Sequence, residues 1–207
     1  MSTDFIFFDV GGVVVLDFSK TQKWDEMMRD LGLAGEQRER FEKLFDEKEP
    51  GFCRGADVDA LVPVLRSEFG LDLPHDYSML EDFVSRFERN ERLGKIIKSL
   101  EGKVRLGLLT NMYPRMLDQI KQRGLLPDVA WTCIVDSSVV HYLKPEPEIY
   151  EIAEAQAGVA PEKILFVENS PMHIDAARAR GWQTLLYDPV EIDRSNDELV
   201  DWLNSDS

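Results

Sequence analysis

Little in this chain points to a membrane, a nucleic acid or a disulfide scaffold. No apolar run approaches the roughly 18 residues of a membrane span, and the opening MSTDF lacks the basic region and small-residue cleavage site of a signal peptide. Cys53 and Cys133 are too few for a disulfide framework and read as reduced, buried thiols. Basic residues are scarce: 24 Lys and Arg face 39 Asp and Glu, giving a net charge of -15 and no basic run. Such a field repels a polyanion. The expectation is a cytoplasmic protein that binds neither nucleic acid nor membrane.

What is present is enough apolar material, 43% of 207 residues, for a substantial core. FIFF (5–8) reads as a buried strand, closed by Asp9 and the turn-forming pair Gly11-Gly12, with VVVL following. VRLGLLT (104–110), ILFV (164–167) and TLLY (184–187) look similar, and WTCIV (131–135) is a weaker candidate. Helical spacing appears at 114–123, 146–157 and 171–180, the first and last closed by Gly124 and Gly181. Alternating strands and helices favour an α/β fold, a Rossmann-like parallel sheet with helices on both faces.

The interval from about 19 to 89 breaks that alternation. TQKWDEMMRDLGL, EQRERFEKLFDEK, DVDALVPVLRSEFG and SMLEDFVSRFERN read as four amphipathic helices, with no convincing strand among them. The domain reading is a core of residues 1–17 and 90–207, interrupted by a helical cap at 18–89.

Ligands of an open parallel sheet bind beyond the carboxyl ends of its strands. The apolar runs end there on Asp9, on Thr110-Asn111 and on Glu168-Asn169-Ser170, and Lys144 precedes Pro145 at a helix start. A carboxylate can attack phosphorus or carbon. Thr110 and Asn111 offer hydrogen bonds to charged oxygens, and Lys144 a compact cation. Asp9, Glu168 and Asn169 are oxygen donors of the kind that suits Mg²⁺.

D-x-x-x-V after the first strand, LTN after the next, LKPEPEIY, and ILFVENSPMHIDAARARGW, in that order, resemble the haloacid dehalogenase-like hydrolase superfamily over nearly the whole chain. The resemblance implies that Asp9 takes up a phosphoryl group as an aspartyl phosphate. Lys144, Thr110 and Asn111 would hold its oxygens, and Mg²⁺ would sit on Asp9, the Gly11 carbonyl, Glu168 and Asn169. Arg54, in the cap, is a candidate substrate contact. The substrate implied is a small phosphorylated metabolite.

Two positions depart from the small phosphatases of that superfamily. Gly11 stands where they carry a second aspartate that protonates the leaving group, and Asn169 where they carry a metal-binding acid. Both departures suit a metal-independent haloacid dehalogenase, whose halide leaves without a proton, or a degenerate site that binds a phosphorylated ligand without cleaving it. Against the dehalogenase, no aromatic cluster is evident in the cap, and Arg38 and Arg40 read as a solvated face. His173 reads as structural or solvent-facing, and His141 and His75 as uninformative.

Overall fold

The computed structural model describes residues 3–205. Its strands are β1 (Phe5–Phe8), β2 (Val15–Leu16), β3 (Glu88–Arg89), β4 (Arg105–Thr110), β5 (Trp131–Asp136), β6 (Ile164–Glu168) and β7 (Gln183–Leu186). Five of them form one parallel sheet in the order β5-β4-β1-β6-β7. β1 lies at its centre, and every side chain of FIFF is fully buried. Because successive side chains of a strand point to opposite faces, Ile6 and Phe8 join one core, and Phe5 and Phe7 the other. Gly107 on β4 makes room for this: a Cβ there would come within 2.8 Å of both Phe5 and Phe7.

Four helices precede β3: α1 (Lys23–Asp30), α2 (Gly35–Cys53), α3 (Leu61–Glu68) and α4 (Met79–Ser85). They are followed by α5 (Glu91–Leu100), α6 (Met116–Gln122), the short α7 (Ser137–Val140), α8 (Pro147–Ala157), α9 (Pro171–Ala179) and α10 (Ile192–Ser205). α8 and α9 cover the Phe5/Phe7 face, stacking Trp182 on Phe7 at 5.6 Å. α5, α6 and α10 cover the other, and that core runs on into α1–α4 through Met27, Phe41, Leu65 and Phe83. Among the described residues no helix is long and apolar enough to cross a membrane.

The sequence offers no strand between 19 and 89, yet β3 forms there and pairs antiparallel with β2. Its residues, Glu88 and Arg89, are exposed and carry no apolar signal. Backbone pairing across the two points where the chain enters and leaves α1–α4 makes the ribbon. Asn90 fastens it, donating from Nδ2 to the Val13 carbonyl at 2.8 Å while its Oδ1 caps the first turn of α5. α5 and α10 are likewise unanticipated. Gly94 lowers the helix propensity of the first although Leu93, Ile96, Ile97 and Leu100 keep a full helical repeat, and the first two turns of α10, IDRSNDE, are almost wholly polar. VVVL proves half turn: Gly12, at φ 72°, reverses the chain through Val13 and Val14, and only Val15 and Leu16 are extended.

Candidate active site

Asp9 follows β1 at the carboxyl edge of the sheet and is 7% exposed. Its Oδ1 accepts from the Val10 amide at 2.8 Å and meets Lys144 Nζ at 2.9 Å. The same ammonium lies 2.5 Å from Glu168 Oε2, at the end of β6. One buried cation therefore serves two buried acids, and the closer contact goes to Glu168. Burial pushes Asp9 up to about 7, assisted by the nearby Glu168 charge and opposed by Lys144. Burial acts the same way on Glu168, but there Lys144 and His173 prevail and hold it down to about 2. Burial works against the charge of Lys144, and the two carboxylates outweigh it, leaving the ammonium above its ordinary value.

Lys144 is held by its own backbone. Asn111 Oδ1 accepts from the Lys144 amide at 2.8 Å, and Asn111 Nδ2 donates to the Lys144 carbonyl at 3.0 Å. Asn111 thus fixes the loop that carries the cation, and both polar ends of its side chain are engaged in doing so. Thr110 is almost fully buried at the end of β4, its hydroxyl 3.5 Å from the Asn111 carbonyl.

Glu168 also organises α9. Its Oε1 accepts from the Asn169 and Ser170 amides, each at 2.9 Å, which satisfies donors at a helix N-terminus. His173, read from sequence as structural or solvent-facing, comes into the site: its Nδ1 lies 3.2 Å from Glu168 Oε2, off the line of a good hydrogen bond. The only signal for it was its place five residues after Glu168, where the first turn of a helix brings a side chain back over the strand end.

The expected Mg²⁺ ligands are arranged in another way. Asn169 donates from Nδ2 to the Gly11 carbonyl at 3.1 Å, so an amide hydrogen meets the oxygen that a cation would need. Both oxygens of Glu168 are engaged by amides, Lys144 and His173. Of the four expected donors, this leaves the second oxygen of Asp9. No cluster of three His, Cys, Asp or Glu among the described residues suits a metal ion. The donor set as folded does not fit a divalent cation. Gly12 is tied to the same arrangement, since a Cβ on it would lie 2.1 Å from Asn169 Nδ2.

A cavity of about 580 Å³ opens beside this cluster, with Lys144, Asn111 and His173 on its wall. Phe18, Trp24, Phe45, Phe83, Phe87 and Tyr113 also line it, with Phe18 and Phe83 rings 5.2 Å apart and Trp24 and Phe45 5.0 Å apart. The aromatic cluster absent from the sequence reading is therefore present. It escapes notice because its members are scattered from 18 to 113 and meet only in the fold. Asp17, Asp46 and Glu49 add carboxylates to the wall, and Tyr113 donates to Glu49 at 2.9 Å.

Arg54, expected as a substrate contact, is not on this wall: it pairs with Glu146 and donates to the His141 carbonyl at 3.0 Å. His141 returns the contact through Nδ1, 2.7 Å from the Arg54 carbonyl, and His75 is exposed. Arg38 pairs with Asp25 and Glu42, as a solvated face would. The cysteines are free, Cys53 buried and Cys133 only half-buried; burial pushes their thiols up to about 12 and about 11.

The family model described as haloacid dehalogenase-like hydrolase matches residues 3–181. An enolase-phosphatase E1 of Streptomyces avermitilis is 45% identical over 42 residues, covering 20% of this chain and 18% of the relative. A haloacetate dehalogenase H-2 of Moraxella sp. is 32% identical over 81 residues, covering 39% and 35%. The matches thus span well under half of either curated relative. Among solved structures, a HAD-like family hydrolase of Porphyromonas gingivalis superposes with a TM-score of 0.73 at 22% identity, covering 96% of this chain and 98% of the other. A HAD family enzyme of Bacteroides thetaiotaomicron, in complex with magnesium and inorganic phosphate, gives 0.72 at 17% identity, covering 92% and 96%.

Proposed function

The chain belongs to the haloacid dehalogenase-like hydrolase family, and we propose that it hydrolyses a small phosphomonoester through a phosphoryl group carried on Asp9. The observation that carries this reading is a buried carboxylate at the end of the central strand, 2.9 Å from an ammonium that lines an aromatic cavity. Asp9 attacks phosphorus, and Lys144 balances the charge that gathers on the transferred oxygens. The aromatic wall takes the organic part of the ester. Water then cleaves the acyl phosphate. Residues 18–89 act as the cap that selects the substrate, and the cytoplasm is the expected compartment.

Displacement of halide at carbon is the second reading, favoured by the aromatic wall and by the engaged metal donors. The phosphoester is preferred on charge. A haloacid presents its carboxylate apart from the carbon that reacts, so it calls for a cation besides the one at Asp9, and Lys144 is the sole Lys or Arg among the described residues on the wall. A phosphoester joins charge and electrophile in one group, which a single cation serves. Release of phosphate from sugar, nucleotide or acyl phosphates tests the reading, whereas halide released from 2-haloacids with no phosphate from any ester would contradict it.

Only the carboxylate form of Asp9 is a nucleophile. With its pKa raised to about 7, kcat/KM is expected to climb through neutrality and to fall about tenfold per pH unit on the acid side. A profile flat down to pH 5 would show that Asp9 is not the attacking group.

Mg²⁺ was expected on Asp9, Gly11, Glu168 and Asn169, and the Asn169–Gly11 hydrogen bond argues against it in this chain. Phosphate release should survive EDTA. Asn169→Asp should introduce Mg²⁺ binding measurable by calorimetry, because a carboxylate cannot donate to the Gly11 carbonyl and offers a hard ligand instead. Full loss of wild-type activity in EDTA, restored by Mg²⁺, would reverse this.

A further inference from the structure

Gly11 removes the acid that a phosphatase of this kind places two residues after its nucleophile, yet the space beside Gly11 already holds a carboxylate. A Cβ built on Gly11 would lie 2.3 Å from Asp17 Oδ2 and 3.2 Å from its Cγ. Gly11 is not among the positive-φ residues, so its backbone tolerates a side chain, and Asp17 is what excludes one.

We propose that Asp17 is the proton-transfer residue of this site, its carboxylate brought by the chain reversal into the place left open at position 11. The reversal is specific. The Val15 amide donates to the Val10 carbonyl and the Gly12 amide to the Val15 carbonyl, each at 2.8 Å, and Gly11 bridges to Val15. Asp17 therefore emerges from β2 directly over Gly11. Its other oxygen, Oδ1, accepts from the Ser19 amide at 2.8 Å, and Thr21 Oγ1 donates to the Asp17 carbonyl at 3.0 Å. The Ser19 amide anchors Oδ1, the Ser19 hydroxyl also bonds the carboxylate, and Oδ2 lies over Gly11. Asp17 shares the cavity wall with Lys144, the partner of Asp9. Burial also pushes its carboxyl above the usual carboxylate range, which favours the acid form before reaction.

The role rests on the phosphomonoester reading above. As Asp9 Oδ attacks phosphorus and the bond from phosphorus to the ester oxygen breaks, Asp17 in its acid form gives its proton to that oxygen, and an alcohol leaves. Asp17, now a carboxylate, takes a proton from the water that attacks phosphorus next. The bond between phosphorus and Asp9 breaks, phosphate departs, and Asp17 is again an acid.

Proton donation matters in proportion to how poor the leaving group is. Asp17→Asn should lower kcat on an alkyl phosphate such as glycerol phosphate by about 10²-fold or more, and on nitrophenyl phosphate by only about threefold. Moving the acid back, in the double variant Gly11→Asp with Asp17→Gly, should regain at least about tenfold of the alkyl-ester rate. Equal losses on the two esters, no loss on the alkyl ester, or no recovery in the double variant would overturn the role. A wild type that cleaves neither ester would overturn the phosphomonoester reading and this role with it, whereas turnover by the wild type with equal losses in the variant overturns Asp17 alone.

Discussion

Asp9→Asn is expected to lower turnover of phosphomonoesters by about 10⁴-fold or more while leaving the protein folded. The amide keeps the size of the side chain and one acceptor for the Val10 amide and Lys144, so packing at the end of β1 survives. What is lost is the anion that forms the bond to phosphorus. Little stability should go with it. Burial and the Glu168 charge both disfavour ionised Asp9, and a neutral replacement relieves that repulsion while Lys144 keeps Glu168. A melting curve within a few degrees of wild type, together with lost activity, is the expected pair of results. Substantial residual turnover in the variant would remove Asp9 from the nucleophile's role.

Lys144→Met should do the opposite to the balance of activity and stability, damaging both. The ammonium is the one cation shared by two buried carboxylates, and its side chain is 1% exposed. Removing it leaves Glu168, which has no exposed surface, beside Asp9 with only the His173 ring as a partner. Breaking a buried pair in this way costs about 3–5 kcal/mol, which for a chain of this size lowers Tm by roughly 10 °C. The sign of the pH dependence follows. In the variant Asp9, already raised by burial and the Glu168 charge, loses the ammonium that opposed them, so its acid form is favoured in the fold and the deficit shrinks as pH falls below neutrality. Denaturant unfolding at neutral and mildly acid pH measures this. A variant as stable as wild type at both pH values would mean that the cluster is not coupled through Lys144.

The contrast between these two residues shows what was legible in the sequence. β1, β4 and β6 were readable because strands buried on both faces are continuous apolar runs, and the polar residues that close them mark the functional edge of the sheet. That logic pointed to Asp9 and Glu168, which the fold brings to Lys144, a residue read from its place before Pro145. It did not assign their partners. Asn111 was read as an oxygen binder and instead clamps both sides of the Lys144 backbone, a contact across 33 residues that no local pattern encodes.

Position 11 is the sharper case. A chain read one residue at a time shows glycine where an acid is expected and concludes that proton transfer is missing. The fold places Asp17 there, six residues later, because the Gly12 reversal and the short pairing of β2 with β3 carry it back. The functional group belongs to a place in space, and the sequence reports only its place in order. Asn169 shows the same limit for the metal: its identity offers an oxygen donor, whereas in the fold its amide donates to the Gly11 carbonyl. The aromatic wall, drawn from six residues far apart in the chain, was invisible for the same reason.

A covalent intermediate on Asp9 is read directly by rapid acid quenching during turnover, followed by mass analysis of the peptides. The peptide that contains Asp9 should be heavier by one phosphoryl group, and the adduct should vanish in Asp9→Asn. Turnover with no adduct, or with the phosphoryl group on another residue, would contradict the account.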